Sequence, residues 1–303
     1  MGSPVRAAAR LTLYLSWTFL LLPVQIVAVL LGLDLARRLP RFYHGVCARL
    51  IGLNVIQRGA AVAARPILFV ANHTSYLDIT VLGSLIDVSF VAKAEIADWP
   101  LFGLLAKLQR SVFIERRASH SARHRDEIGK RLDAGDALVI FPEGTTDDGN
   151  HVLPFKSALF AVAERTVNGA PLVVQPISIA YVRLDGMPVG REWRPYYAWY
   201  GDMDMPGHLW RVMGLGTVTV EVLFHPPLDI ASAARDAGLA WGDTPDRPTV
   251  AAARKALADR CRTAVVGGVS TALSGEAAMV LSDQSNAEAN AGANAGARPG
   301  AAA

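Results

Sequence analysis

The stretch Pro66-Ile67-Leu68-Phe69-Val70-Ala71-Asn72-His73-Thr74-Ser75-Tyr76-Leu77-Asp78 joins an apolar run to a polar turn. The run has the length and β-branched content of a buried strand. His73 stands at its end, and the carboxylate of Asp78 follows five residues later. Histidine titrates near neutrality, and a neighbouring carboxylate can fix its tautomer, so the pair suits a general base. The same spacing also fits a histidine that caps a helix or fills a polar core site.

Composition limits the classes of protein to which the chain can belong. Of its 303 residues, 51% are hydrophobic and 19% are charged, which predicts one α/β domain with terminal additions or two domains. The net charge of +3 is too small to indicate a nucleic acid partner, but it suits an anionic membrane surface or an acidic carrier protein. Cys47 and Cys261 match no metal or redox spacing, so we expect free thiols in a cytosol-facing protein.

An apolar segment near the N-terminus predicts membrane association. No charged residue lies between Leu11 and Leu33, and a straight helix of this length reaches roughly 35 Å, enough to cross a bilayer core of about 30 Å. The apolar run is too long for a typical signal peptide. Two arrangements stay open: a spanning helix, or a helical hairpin kinked at Pro23 that enters one leaflet.

The residues after this segment suggest its orientation. Arginines at 37, 38 and 41 lead into the candidate catalytic region, so we place that region on the cytoplasmic side of the inner membrane. From Leu35 to Leu53 the chain is amphipathic. This segment fits either a helix on the membrane interface or a helix packed against the domain.

From Val62 onward apolar strands alternate with helical segments. This order predicts a layered α/β domain with a mixed, largely parallel sheet flanked by helices, in addition to the N-terminal membrane helix or hairpin. Polar clusters follow several strands, where open α/β sheets bind ligands. The predicted strands are Ile67–Ala71, Val88–Ala92, Ser111–Glu115, Ala137–Phe141, Leu172–Ala180 and Thr217–Phe224, and the predicted helices are Leu77–Leu85, Pro100–Gln109, Ser119–Asp133 and Phe155–Thr166.

The C-terminal part changes character. Between Asp229 and Thr249 the chain is rich in Ala, Gly, Asp and Pro, which predicts irregular packing, and a helix is expected at Thr249–Val265. The tail that follows buries too little apolar surface to offset its ordering entropy, so we expect disorder. The predicted divisions are a flanking N-terminus (1–10), a membrane segment (11–35), a catalytic domain (36–228), a linker and helix (229–273) and a disordered tail (274–303).

Lys93 and Arg116 each stand at the end of a predicted strand. Both side chains would point into one cleft if those strands are parallel neighbours, and cations there suit a phosphate. Taken alone, each fits an ordinary solvated charge at the end of a strand.

A second polar cluster, Phe141-Pro142-Glu143-Gly144-Thr145-Thr146, follows another apolar strand. Gly144 permits a tight turn and a close approach of a ligand to the backbone. Glu143 is a candidate ligand for a hydroxyl or an ammonium group, and Thr145 for a phosphate. The acidic residues after this turn fail the spacing of a calcium loop, so no metal site is predicted.

A third feature is Gln175, a polar residue inside an apolar strand that Pro176 interrupts. A proline in a strand predicts an edge strand or a bulge. Elsewhere the chain lacks a Gly-x-Ser-x-Gly elbow and a Walker loop, so a covalent acyl-enzyme is not indicated.

Taken in order, these clusters resemble the glycerolipid acyltransferase family, whose bacterial type member is 1-acyl-glycerol-3-phosphate acyltransferase. The resemblance covers about residues 45–225 and includes the family's N-terminal membrane helix. The matching motifs are His73-x4-Asp78, Lys93-x-Glu95 followed by Phe113-Ile114-Glu115-Arg116, Phe141-Pro142-Glu143-Gly144-Thr145, and Val174-Gln175-Pro176-Ile177.

The resemblance implies an enzyme that moves an acyl group from an acyl-CoA or acyl carrier protein thioester to a lysolipid hydroxyl, with no bound cofactor. It implies that His73 removes the hydroxyl proton and that Asp78 orients the imidazole. Backbone N–H groups beside Gly144 or Asn72 are candidates for stabilising the oxyanion. The expected acceptor-binding residues are Lys93, Arg116, Glu143, Gly144 and Thr145, and the further candidates are Asn72, Thr146 and Gln175.

One departure from the family pattern bears on the acceptor. Many members carry an arginine after Glu-Gly-Thr that is associated with the acceptor phosphate, whereas this chain has Thr146. We expect 1-acyl-glycerol-3-phosphate as the acceptor, giving phosphatidic acid, with the zwitterionic lyso-ornithine lipid as the second candidate. A non-catalytic lipid-binding module would use the same pocket but needs no base, and an esterase would be expected to carry the nucleophile elbow that this chain lacks.

Overall fold

The computed structural model describes residues 2–114, 121–167, 169–242 and 245–275, without the side chains of 121–124. A mixed sheet of eight strands lies between two layers of helices, which confirms the predicted fold class. The helices are α1 (Pro4–Leu30), α2 (Leu35–Ile51), α3 (Leu77–Leu85), α4 (Phe102–Leu108), α5 (Ser121–Asp133), α6 (Met205–Gly214), α7 (Ile230–Asp236) and α8 (Arg247–Ser274), and 3₁₀ helices cover Ala94–Asp98, Ser157–Glu164 and Arg194–Tyr196.

The sheet places strand β2 in its middle. The strands are β1 (Leu53–Arg58), β2 (Ile67–Ala71), β3 (Ser89–Lys93), β4 (Val112–Ile114), β5 (Ala137–Ile140), β6 (Thr166–Val167), β7 (Ala170–Pro171), β8 (Val173–Leu184), β9 (Met187–Pro188) and β10 (Val218–Phe224). The order across the sheet is β1-β10-β8-β2-β5-β3-β4, with β9 beside β8. Strand β8 pairs antiparallel with β10 and with β9, and the other pairs that the described residues form in this sheet are parallel. The pair β6–β7 forms a separate ribbon.

Strand β2 is apolar at every position because both of its faces are covered. Phe69 and Ala71 pack into the core beneath α2 and α3. Leu68 and Val70 alternate with them and pack into the opposite core, formed with α5, α7 and α8. A strand buried on both faces reads as a continuous hydrophobic run, as the sequence does here.

Pro176 lies in an interior strand, so the prediction of an edge strand is wrong. Strand β8 pairs with β2 on one side and with β10 on the other. The ladder with β10 extends only to Ile177, opposite Phe224, so Pro176 lies just beyond it. The missing N–H of the proline therefore costs no ladder hydrogen bond to β10. The Pro176 carbonyl accepts a bond from the N–H of His225.

The C-terminal region is more regular than predicted. Helix α7 occupies part of the segment expected to pack irregularly, and it begins with a capping box between Asp229 and Ser232. Helix α8 extends beyond the predicted Thr249–Val265 in both directions. Leu257 and Cys261 of α8 are fully buried in the core, so this helix packs as part of the layered domain. Ser274 of the predicted tail ends α8, and residues 276–303 lie outside the described part.

The N-terminal apolar segment forms one continuous helix, α1, that passes through Pro23 without dividing. The chain instead turns at residues 31–34 and returns as α2. Among the described residues, α1 is the one helix long and apolar enough to cross a membrane. Its outer face exposes large apolar side chains, including Phe19, Leu20 and Leu30.

Helix α2 packs against the domain through its apolar side. Cys47, Ala48 and Ile51 are buried in the same core as the α3 residues, which agrees with the packed arrangement for this segment. Cys47 and Cys261 are free, as predicted, and both are buried.

Candidate active site

The polar clusters predicted at strand ends meet at one edge of the sheet. Strands β2, β5, β3 and β4 are parallel, so their carboxyl ends lie side by side. Residues that follow or end three of these strands, His73, Lys93 and Gly144, line a single cavity of about 830 Å³. Arg116, predicted to join this cluster, lies outside the described residues.

His73 and Asp78 form a hydrogen-bonded pair. Nδ1 of His73 lies 2.9 Å from Oδ2 of Asp78. The same oxygen accepts the backbone N–H groups of Thr74 at 2.7 Å and Ser75 at 3.0 Å, and Oδ1 accepts the hydroxyl of Tyr181 at 2.8 Å. Asp78 is fully buried, and these bonds satisfy the carboxylate. Burial and the Asp78 charge raise the pKa of Tyr181, which keeps its hydroxyl protonated as a donor.

The other side of the imidazole faces the cavity. The ring stacks on Phe141 with centroids 4.0 Å apart, and the His73 side chain is 21% exposed. Since Asp78 engages Nδ1, Nε2 is the nitrogen left to meet a substrate. A base needs one nitrogen oriented by a partner and the other within reach of the reacting proton, and this geometry meets both requirements.

Asn72 positions the loop that carries His73. Its amide donates to the Ile179 carbonyl at 2.9 Å and accepts the Ile179 N–H at 2.8 Å. This pair of bonds ties the end of β2 to β8 and uses the side-chain amide. Asn72 is buried and does not line the cavity, so its side chain supports the site and does not contact a ligand there.

Glu143 does not have the position of a head-group ligand, which corrects its predicted role. One carboxylate oxygen accepts the backbone N–H of His73 and the other that of Leu153, each at 2.7 Å. The side chain is buried, and burial raises the pKa of Glu143 to about 7 despite these two bonds. The carboxylate therefore joins the His73 loop to the segment after β5. Nothing in the sequence pattern showed that the side chain points inward.

Gly144 has a left-handed backbone with φ of +69°. A Cβ built at this position would lie 2.5 Å from Nζ of Lys156, so the glycine lets the lysine side chain cross the turn. The Gly144 N–H donates to the Phe141 carbonyl at 3.0 Å. This N–H group is therefore engaged within the turn, which counts against it as an oxyanion donor.

Lys156 is a cavity residue that sequence reasoning missed. It lines the cavity with Lys93, Thr145 and Thr146, and its backbone N–H donates to the Pro142 carbonyl at 2.9 Å. The available signal was one lysine inside the otherwise apolar stretch Val152-Leu153-Pro154-Phe155-Lys156. Lys156 is thus a second lysine, besides Lys93, in the lining of the cavity.

Gln175 has a structural role and does not line the cavity, which corrects the prediction that it is a candidate for binding the acceptor. Its oxygen accepts the N–H of Val62, and its amide donates to the carbonyls of Ala60 and His225, all at 2.9 Å. The side chain is buried. These bonds hold the loop before β2 against the end of β10.

Much of the cavity lining is apolar. Leucines from α1, α2 and α4 line it, including Leu22, Leu39 and Leu105. Gln109 accepts a hydrogen bond through Oε1 from Nε2 of His44 at 3.0 Å, and both residues line this region. Burial lowers the pKa of His44 to about 4, so the imidazole is neutral at physiological pH. The cavity therefore has room for a hydrocarbon chain, and His44 places no buried charge beside it.

Asp147, Asp148 and His151 bring ligand-type atoms within 4.8 Å of one another in the loop after the Gly144 turn. Asp148 accepts two hydrogen bonds from Asn150, one from its backbone and one from its side chain. None of the three residues lines the cavity that contains His73.

Comparison with known proteins gives a consistent result. The protein-family model described as Acyltransferase matches residues 50–180. The chain is 45% identical to a lyso-ornithine lipid O-acyltransferase of Brucella abortus, over 74% of this chain and 84% of the relative. It is 44% identical to a protein of the same description from Rhizobium meliloti, over 74% and 78% of the two chains.

Two further similarities concern a second acceptor and the fold. A 1-acyl-sn-glycerol-3-phosphate acyltransferase of Neisseria meningitidis is 34% identical, over 60% of this chain and 68% of the relative. The crystal structure of the 1-acyl-sn-glycerophosphate acyltransferase of Thermotoga maritima matches with a TM-score of 0.53 at 19% identity, covering 88% of this chain and 96% of that one. At this identity the structural match supports the shared fold alone.

Proposed function

Since the chain belongs to the acyltransferase family, we propose that it transfers a fatty acyl group from an acyl thioester to the free hydroxyl of a membrane lysolipid. The observation that carries this proposal is the His73–Asp78 pair at the wall of a cavity whose lining is largely apolar and includes two lysines. An acyl chain suits the apolar part, and an anionic group suits the lysines.

In the proposed reaction, Nε2 of His73 takes the proton from the acceptor hydroxyl as its oxygen attacks the thioester carbonyl. The new ester C–O bond forms, the C–S bond breaks, and the departing thiolate recovers the proton from the imidazolium. Asp78 holds the imidazole in one tautomer and stabilises its positive charge. Lys93 and Lys156 hold the anionic group of the acceptor. A binding module would need no such base, so the pair favours catalysis.

We propose lyso-ornithine lipid as the acceptor. The relatives of that description have higher identity to this chain than the Neisseria relative described as acting on 1-acyl-glycerol-3-phosphate. Thr146 in place of an arginine also leaves the head-group region less cationic, which suits a zwitterion. The phosphate acceptor favoured by sequence motifs is the second candidate, since Lys93 and Lys156 both line the cavity and would suit a phosphate.

The test is to offer the purified enzyme lyso-ornithine lipid and 1-acyl-glycerol-3-phosphate side by side, each with the same acyl thioester. We expect kcat/KM to be higher for lyso-ornithine lipid. A higher value for the phosphate acceptor would reverse the assignment, and no transfer to either would reject the proposed function. Repeating the assay with acyl-CoA and with acyl carrier protein thioesters identifies the donor.

We further propose that α1 lies in one leaflet at the cytoplasmic face of the inner membrane. Near its start, Arg10 donates to the Leu215 carbonyl at 2.8 Å. Near its end, Gln25 donates to the carbonyls of Ala36 and Leu108 at 3.0 and 2.9 Å. The helix is thus fixed to the domain at positions about 22 Å apart along its axis, from a rise of 1.5 Å per residue. To span the bilayer, it would have to release these contacts.

Cysteine labelling tests this arrangement. Single cysteines replace Val5 and Asp34, which are exposed near the two ends of α1, in a background without Cys47 and Cys261. An impermeant maleimide applied from the cytoplasmic side should label both positions. Labelling of one position from each side of the membrane would establish a spanning helix.

A further inference from the structure

Three aromatic rings form a corner in the wall of the cavity. The centroids of Trp99 and Trp199 are 6.0 Å apart, and the rings stand at 86°. Tyr76 lies 6.0 Å from Trp199 at 69°. All three side chains line the same cavity as His73, and both tryptophans are partly exposed. A group entering the cavity can therefore reach this corner.

Trp199 is fixed in place by hydrogen bonds at both of its N–H groups. Its backbone N–H donates to the carbonyl of Thr74, the residue after His73, at 3.0 Å. Its indole N–H donates to the Met203 carbonyl at 2.9 Å. The ring is thus held near the catalytic loop, and its polar atom is already used. What the indole offers to a ligand is the electron-rich face of the ring.

Glu95 is an exposed acidic residue that lines the same cavity, four residues before Trp99. Aromatic faces attract a cation within about 6 Å of the ring centroid, and a carboxylate adds to this attraction. We infer that Trp99, Trp199 and Glu95 bind a primary ammonium group on the head of the acceptor, as in the ornithine head group. This inference rests on the proposed acyl transfer to a lysolipid.

This corner complements the lysines. Lys93 and Lys156 supply positive charge in the cavity, which suits the carboxylate of an ornithine head group. Glu95 and the indole faces suit a cation, which in that head group is the ammonium. A phosphate head group carries no cation, so it would leave the corner without a partner and would face repulsion from Glu95. The pairing of two lysines with an aromatic and acidic corner selects a zwitterion.

The competing role for these tryptophans is anchoring at the membrane interface, where Trp side chains are enriched. The two roles differ in a measurable way. An anchor affects the binding of any lipid-chain ligand equally, whereas an ammonium site distinguishes ligands by their amine alone.

Two probes that cannot be acylated isolate the amine. N-hexadecanoyl-ornithine carries the carboxylate and the ammonium but no hydroxyl, and N-hexadecanoyl-norvaline is the same molecule without the amine. Their dissociation constants are measured with the full-length enzyme in neutral phosphatidylcholine vesicles. The wild-type protein should bind the ornithine probe about 5- to 30-fold more tightly, the range expected of a cation–π site.

The variants are Trp99→Leu, Trp199→Leu and Glu95→Gln, with Trp210→Leu as the matched control because Trp210 is exposed and does not line the cavity. We expect each of the three to reduce the ratio of the two constants to about 3 or less, and the control to keep it. Trp199→Phe, which retains an aromatic face, should preserve part of the ratio and guards against misfolding as the cause.

A wild-type ratio near one would overturn the inference, as would a Trp199→Leu protein that keeps the full ratio. Equal weakening of both probes, together with loss of vesicle binding, would assign the tryptophans to anchoring and also overturn it. Because the probes lack the reacting hydroxyl, the result does not depend on acyl transfer. An enzyme that discriminates the amine but acylates no lysolipid would retain the inference and reject the proposed function.

Discussion

Nδ1 of His73 lies 2.9 Å from Oδ2 of Asp78, an oxygen that also accepts two backbone N–H groups from the turn between them. The carboxylate therefore orients the imidazole and stabilises the turn that carries it. Because Asp78 is fully buried, its charge acts on the imidazole with little screening by water. One side chain thus fixes both the position and the tautomer of the proposed base.

Replacing Asp78 by Asn should reduce kcat roughly 10²–10⁴-fold, because an amide can stabilise the wrong tautomer and carries no charge for the imidazolium. Tyr181→Phe is the comparison, since it removes only one of the bonds to Asp78. For that variant we expect a loss of no more than about tenfold. Steady-state kinetics with a lysolipid acceptor measures both, and equal losses would show that Asp78 acts mainly through the fold.

Glu143→Gln should lower kcat roughly 10- to 100-fold while leaving KM for the acceptor nearly unchanged, because misplacing the base affects turnover. The amide presents only one accepting oxygen, so the N–H of His73 or of Leu153 loses its partner. A group that bound the acceptor directly would give the reverse pattern, with KM raised and kcat retained. That pattern would restore the role expected from sequence.

The stability of the protein should fall with rising pH through the titration of Glu143. Burial raises the pKa of Glu143 from 4.5 to about 7 in the folded state. Between these values the folded chain holds a proton that the unfolded chain has lost. The contribution of this proton to the free energy of unfolding is therefore complete below about pH 4.5 and is lost as the pH rises through about 7. Urea unfolding from pH 5 to pH 8 measures it, and a Glu143→Gln protein with the same slope would exclude Glu143 as the source.

Gly144→Ala should raise KM for the acceptor roughly tenfold, because the new methyl group displaces the Lys156 ammonium from the turn. Gly135→Ala is the matched control: φ is +79° there, and a Cβ at Gly135 would meet open space. Both variants should lose about 1–2 kcal/mol of unfolding free energy from backbone strain. If the control raises KM equally, the contact with Lys156 does not explain the effect.

Much of the site could be predicted because strand ends and motif order are local properties of the sequence. The apolar run of β2 located His73 at a strand end, and two other predicted polar clusters, at Lys93 and at Gly144, stand at the ends of strands that are parallel in the structure. The sequence predicted a largely parallel sheet, but it did not predict the order of the strands that brings these ends together. Lys93, Gly144 and Thr145 line the predicted cleft for this reason.

The errors concern side-chain direction and weak helix signals. Glu143 and Gln175 are polar residues beside the site, and tertiary contacts turned both inward onto backbone amides or carbonyls. Local sequence does not encode which partner a buried polar group will meet.

Helices α6 and α7 had available signals, since Asp204 and Asp229 each cap the helix that follows. The short length of these helices weakened the periodic pattern that would have supported the caps.

The most direct test of the proposed mechanism is acyl transfer by His73→Ala. The enzyme and the variant are bound to the same vesicles, given lyso-ornithine lipid and an acyl thioester, and followed by ester formation. We predict that turnover falls roughly 10²–10⁴-fold or more with vesicle binding unchanged, since a general base contributes on this scale. Near wild-type turnover by the purified variant would contradict the assignment of His73 as the base.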